Sequence, residues 1–142
     1  MTRLNSLFVV AVLSACTTAE PLDAQGTWSL QLTTGATGTC FTPNQVINTT
    51  VAATLEDKTY KFAPANPQPG DTIAGSFECR EDECDFDLTV GEVATTQQGN
   101  ATFTTVLEIH INDALAISGT GNVTGAGAIT CTHPVTVGGT VL

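Results

Sequence analysis

IAGSFECREDECDFDLTV, residues 73–90, is the stretch that decides the fold. Ile73, Gly75, Phe77 and Cys79 stand at every second position before its acidic centre, and Cys84, Phe86, Leu88 and Val90 do so after it. Alternation of this kind marks two strands, each with one buried face. Folding the stretch back on itself with Cys79 opposite Cys84 sets Phe77 against Phe86, Gly75 against Leu88 and Ile73 against Val90. A slip of one residue would turn every one of these side chains to the other face, so burial specifies the register. Directly opposed Cα atoms lie about 4.5 to 5.5 Å apart, within reach of a disulfide.

The same period runs outward in both directions. Upstream, Trp28, Leu30 and Leu32 share a face, as do Ile47, Val51, Ala53 and Leu55, with Tyr60 and Phe62 beyond a Glu56-Asp57 turn. Downstream come Phe103, Thr105, Leu107, Ile109 and Ile111, then Leu115, Ile117, Gly119, Gly121 and Val123, then Ile129, Cys131, Val135 and Val137. Keeping these faces aligned requires odd-numbered connections, placed at 112–114 and 125–127, where Gly125 and Gly127 suit positive φ. Gly119, Gly121, Gly138 and Gly139 predict bends or bulges. Pro64, Pro67, Pro69 and Gly70 mark 63–71 as a loop inside one domain. No stretch has a helical period. The expected fold is all-β: an antiparallel barrel or sandwich of about eight to ten short, hairpin-linked strands.

The N-terminus reads differently. A short basic start (Met1-Thr2-Arg3) precedes the uncharged apolar run Leu7–Leu13 and then Leu13-Ser14-Ala15-Cys16. The run falls far short of the roughly 20 residues that span a bilayer and fits the core of an export signal. This segment resembles the signal and lipobox of bacterial lipoproteins, a resemblance that covers the first sixteen residues. It implies a diacylglyceryl group on the Cys16 sulfur, cleavage before Cys16, and a further acyl chain such as palmitate on the new amino group. Thr17 in place of Asp resembles the class sent to the outer membrane of Gram-negative cells. The alternative is an ordinary secretory signal cut elsewhere. The domain reading is then 1–15 signal peptide, 16–25 tether and 26–142 a single β domain. Ten extended tether residues span about 30 Å, which holds the domain close to the membrane.

Removing the signal also removes Arg3, leaving three cations against fourteen acids, a formal charge of −11 where the whole chain has −10. Such a surface repels nucleic acid and anionic headgroups. With Cys16 lipidated, Cys40, Cys79, Cys84 and Cys131 remain, an even set that reads as two disulfides in an exported chain. Three pairings are open by count. The hairpin register favours Cys79–Cys84, and Cys40–Cys131 follows by elimination. Asn48, Asn100 and Asn122 head glycosylation sequons, which would matter if the chain were instead a eukaryotic secreted protein.

Few residues suggest chemistry. The hairpin register places Glu78 opposite Asp85 with Asp87 diagonal, and Glu81, Asp82 and Glu83 fill the loop, with Arg80 the nearby cation. Opposed like charges repel. Glu78, Glu81, Glu83, Asp85 and Asp87 are therefore a candidate set for weak Ca²⁺ binding, for meeting a basic partner, or for no more than a solvated loop. His110 and His133 are too few for a zinc site once the cysteines are oxidised. No nucleophile elbow, phosphate loop, zinc-protease helix or dinucleotide fingerprint occurs, so the chain reads as non-enzymatic with no catalytic residue to name. Gly26-Thr27-Trp28 resembles the G-x-W start of lipocalin-like barrels, in which the Trp plugs one end, although no cation follows Pro134 to cross it. The simpler reading is a core aromatic. The expected function is a lipid-anchored cell-envelope protein with a structural or protein-binding β domain, or alternatively a lipocalin-like carrier of a small apolar ligand.

Overall fold

The structure is a computed structural model that describes residues 19–142; Cys16 and the signal segment lie outside the described residues. Its strands are β1 (Gly26–Thr34), β2 (Val46–Glu56), β3 (Thr59–Pro64), β4 (Thr72–Cys79), β5 (Glu83–Thr96), β6 (Gly99–Asn112), β7 (Ala116–Gly127) and β8 (Cys131–Val141). The described residues contain no helix. The central hairpin has the register its apolar pattern dictates: Cys79 faces Cys84, Phe77 faces Phe86, Gly75 faces Leu88 and Ile73 faces Val90.

All eight strands form one antiparallel sheet in the order β3-β2-β1-β8-β7-β6-β5-β4. Because β1 pairs with both β2 and β8, the sheet curls round on itself as an up-and-down meander. The result is a nearly closed barrel rather than a sandwich. Its two edge strands, β3 and β4, complete the circle without a hydrogen-bonded ladder between them.

Side chains close that seam. Phe86 on β5 lies at the centre of an aromatic cluster, with ring centroids 5.0 Å from Trp28, 5.1 Å from Tyr60, 6.0 Å from Phe62 and 5.7 Å from Phe77. Tyr60 of β3 meets Phe77 of β4 edge to face at 4.7 Å, directly across the seam. Edge-to-face pairs at such distances are favourable beyond the area they bury. Trp28 and Phe86 are each 1% exposed, so this end of the barrel is filled.

Cys40–Cys131 and Cys79–Cys84 are the two disulfides, with Cα atoms 5.1 and 4.1 Å apart. The first fixes the long β1–β2 connection over the other barrel end. There Phe41 stacks on Phe103 at 6.4 Å and lies against His133 at 5.7 Å. Backbone bonds from Gly35 N–H to the Pro134 oxygen and from Thr39 N–H to the Thr132 oxygen hold the connection in place.

Several turns fall a residue or more from their sequence-predicted places. The β2–β3 turn is Asp57-Lys58, not Glu56-Asp57. Both of its residues have positive φ, 48° and 62°, which matches the twist a two-residue hairpin needs. The three-residue connections are 113–115 and 128–130, not 112–114 and 125–127. Leu115, expected inside β7, instead takes the left-handed turn position at φ 58°, and Ile129 leaves the strand for a loop. Gly127 has positive φ but Gly125 does not. The β8 registers run through Gly138 and Gly139 without a bulge. Gly139, at φ 153°, is needed because an added Cβ would strike the Ser29 carbonyl oxygen of β1.

The two disulfides close loops of very different length, 91 and 5 residues in sequence separation. On the chain-entropy estimate these stabilise by about 4.6 and about 2 kcal/mol. Guanidinium unfolding is therefore expected to show a larger loss for Cys40→Ala with Cys131→Ala than for Cys79→Ala with Cys84→Ala.

Candidate functional site

The acidic residues singled out from the sequence do gather on the outer face of the β4–β5 hairpin, but they do not converge on a point. Glu78 faces Asp85, and Asp87 faces Ser76 on one side and Glu108 on the other. Arg80 occupies the centre. It pairs with Glu83, with Glu78 at 3.3 Å and with Asp85 at 3.8 Å. Its neighbours hold the guanidinium pKa above its ordinary value, first through the Glu83 hydrogen bond and then through the charge of Glu78. His110, cross-strand from Asp85, places Nδ1 at 2.8 Å from an Asp85 carboxylate oxygen. Among the described residues, no group of three or more His, Cys, Asp or Glu side chains is arranged to hold a metal ion. Glu81 and Asp82 point into solvent. The repulsion anticipated for opposed carboxylates is reduced by Arg80, and His110 adds a hydrogen bond to Asp85.

His133, expected to be too isolated for a metal site, is a buried structural residue. It shares the inward parity of Cys131, Val135 and Val137 and is 0% exposed. Phe41 N–H donates to its Nδ1 at 3.3 Å, and Nε2 lies 3.0 Å from the Gly35 oxygen. With Nδ1 accepting, Nε2 carries the proton that Gly35 receives. The imidazole thus pins the β1–β2 connection at both ends. Gly38 lies flat against the ring, where any Cβ would collide with it.

Residues 21–25, read from the sequence as part of a tether, sew the seam at the opposite end. Leu22 N–H donates to the Arg80 oxygen just beyond β4, at 2.6 Å. Ala24 N–H donates to the Tyr60 hydroxyl of β3 at 3.0 Å, and the Ala24 oxygen accepts from Trp28 Nε1 at 2.7 Å. The Gln25 side-chain oxygen accepts from Leu55 N–H at 2.8 Å. Ala24 is fully buried. The packed part of the chain therefore begins at Leu22. A signal was present, since Leu22 and Ala24 continue the even-numbered alternation of Trp28, Leu30 and Leu32.

Of the spaces that adjoin the seam, two bear on function. The first is an open groove of about 530 Å³, walled on one side by Glu20, Pro21, Leu22 and Asp23 and floored by Leu55, Tyr60 and Phe77, with Lys58 on the far rim. Burial pushes the Tyr60 hydroxyl pKa up, the Ala24 hydrogen bond opposes this, and the nearby Asp23 charge adds to the rise. The second is an interior space of about 130 Å³ between inward side chains such as Leu30, Val51, Ile73, Val90 and Leu107, and it shares Thr49, Pro64, Ile73, Val90 and Glu92 with a neighbouring space of about 130 Å³. Its mouth holds Glu92, whose carboxyl pKa is raised above 4.5 by burial and then by the charge of Asp71. No catalytic arrangement of nucleophile, base and orienting group emerges from these residues.

Comparison with known proteins finds no matching family, no matching curated protein and no matching solved structure.

His133→Ala is expected to lower stability by about 3 kcal/mol, since it opens a cavity and strands the Phe41 N–H; chemical denaturation measures it, and proteolysis should cut the loosened 35–45 connection first. Glu92 gives a pH-dependent outcome. Its raised folded pKa means that the native state holds the proton more tightly than the unfolded chain, so its contribution to stability falls as pH rises through that window. Glu92→Gln should therefore stabilise the protein at pH 7, with an advantage that shrinks towards pH 4. Water still reaches this carboxyl, so the gain is small.

Proposed function

We propose that this chain is a lipid-anchored lipoprotein of the cell envelope, exported on residues 1–15, held by acyl chains on Cys16, and sent to the outer membrane of a Gram-negative cell. Its barrel serves there as a non-catalytic structural or protein-binding module. The observation that carries the module reading is the filled barrel. Trp28 and the phenylalanines around Phe86 occupy one end, and Phe41, His133 and the Cys40–Cys131 bond close the other. The interior space of about 130 Å³, even taken with the neighbouring space of about 130 Å³ that shares its lining, falls below the roughly 300 Å³ at which small-molecule pockets begin. A carrier holding its ligand inside the barrel is therefore the weaker reading, although the outer groove keeps a small-ligand role in play.

The anchor reading rests on the lipobox resemblance and on two oxidised thiol pairs, which suit an exported chain. Because packing starts at Leu22, only Thr17 to Pro21 separate Cys16 from the barrel. At about 3.3 to 3.6 Å per extended residue, the seam end lies within about 20 Å of the membrane surface. Two or more acyl chains make that attachment stable, where one would not.

Intact-mass analysis of detergent-extracted protein tests the reading. A mature chain starting at Cys16 and carrying acyl mass is expected, with Cys16→Ser moving the protein to the soluble fraction. A mature chain that starts elsewhere, or that lacks acyl mass, overturns the reading.

A further inference from the structure

We propose that the groove beside the barrel seam is a binding site for a small cationic amphiphile, meaning an ammonium or quaternary ammonium group on an alkyl or aryl body. The site is distinct from the barrel interior, and the inference does not depend on the lipid anchor.

Three observations lead to it. The first is shape. The groove measures about 530 Å³, inside the range of about 300 to 1,000 Å³ typical of small-ligand sites. It exists because β3 and β4 part without a ladder while residues 20–25 cross the end of the gap as a wall. The second is the floor. Leu22, Leu55, Tyr60 and Phe77 present a continuous apolar surface. Leu55 is 40% exposed, one of the few large apolar side chains left open to solvent in the described residues. Covering such a surface with an apolar body is favourable by the area removed from water.

The third observation is charge. Glu20 and Asp23 stand on the groove wall. Lys58 on the far rim opposes them, but it is flanked in its turn by Glu56 and Asp57. The described residues carry fourteen acids against three cations, so the groove sits in a negative field that concentrates cations and repels anions. Asp23 already acts on the groove, since its charge raises the Tyr60 hydroxyl pKa. An anionic amphiphile such as a fatty acid would meet one lysine at the cost of facing this field.

A matched pair of probes tests the proposal: dodecyltrimethylammonium and dodecanoate, each below its micelle concentration. The protein is the full chain carrying Cys16→Ser, so that neither acyl chains nor detergent compete. Calorimetry and amide NMR are expected to show one saturable site for the ammonium probe, with shifts centred on residues 20–25, 55–60 and 77–79. Dodecanoate should bind at least about tenfold more weakly, with the gap narrowing at high salt. Leu55→Gln, at an exposed position where folding is safe, should weaken the ammonium probe about fivefold, as should Asp23→Asn, while Lys58→Gln should tighten it. Equal or tighter binding of dodecanoate, absence of a saturable site, or indifference to the Leu55 and Asp23 changes would each overturn the proposal. So would NMR shifts that map to another face.

Discussion

The architecture depends on closing an eight-stranded circle with seven ladders. Each ladder contributes regular backbone bonding, but the eighth junction, between β3 and β4, has none, and the packing of Tyr60 against Phe77 with Phe86 behind them takes its place. Unpaired edges invite foreign strands. Here the edges are shielded by aromatic side chains, by Pro64 at the end of β3, and by the backbone of residues 21–25, which bonds to both sides of the gap. One cluster thus fills the core, completes the barrel and gives the N-terminal segment something to dock on. The groove is a consequence of the same geometry, because strands joined by rings instead of hydrogen bonds leave a wider furrow at their surface.

Much of the barrel was legible in the sequence because burial of one face and two-residue alternation are local and redundant. Residues 73–90 fix their own register, and with it the Cys79–Cys84 bond. Turn positions were less legible. A three-residue loop preserves parity wherever it sits, so alternation alone cannot distinguish 112–114 from 113–115. Leu115 was misplaced because its apolar side chain suits a strand, while its backbone serves the turn. The long hairpin through Thr96 and Gly99 went unassigned because Gly91 to Asn100 carry little alternation; the pairing of β5 with β6 holds them extended, and β4 reaches no further than Gly91. The burial of His133 was missed for the opposite reason. It sits at an inward position, but a polar side chain reads as outward unless its partners, here Phe41 and Gly35, are known. The seam itself has no sequence signature, since which edges meet follows only from closure.

Charge is distributed so that a strongly acidic chain can still fold. The fourteen acids lie mainly on outward positions and turns, where water screens them. The densest group, at the tip of the β4–β5 hairpin, is the one that Arg80 and His110 enter. Lys58, on the rim of the groove, and Lys61, on β3, are the other Lys and Arg side chains of the described residues. Neither enters the ion pairs found among those residues, and neither reverses the field around it.

The segment leading from Cys16 to the barrel and the segment walling the groove are the same stretch of chain. Leu22 and Ala24 dock through a few hydrogen bonds and the burial of Ala24 in the core, with far fewer backbone bonds than the ladders behind them. With so few backbone bonds the segment opens more readily than the strands do. A molecule lying in the groove would touch Leu22 and Asp23 and so favour the docked state, and whatever pulls the segment away from Tyr60 would remove one wall of the site. Linkage makes these two effects equal in size. With a lipid on Cys16, attachment at the membrane and occupancy of the groove would therefore be coupled through residues 21–25, without any change in the barrel.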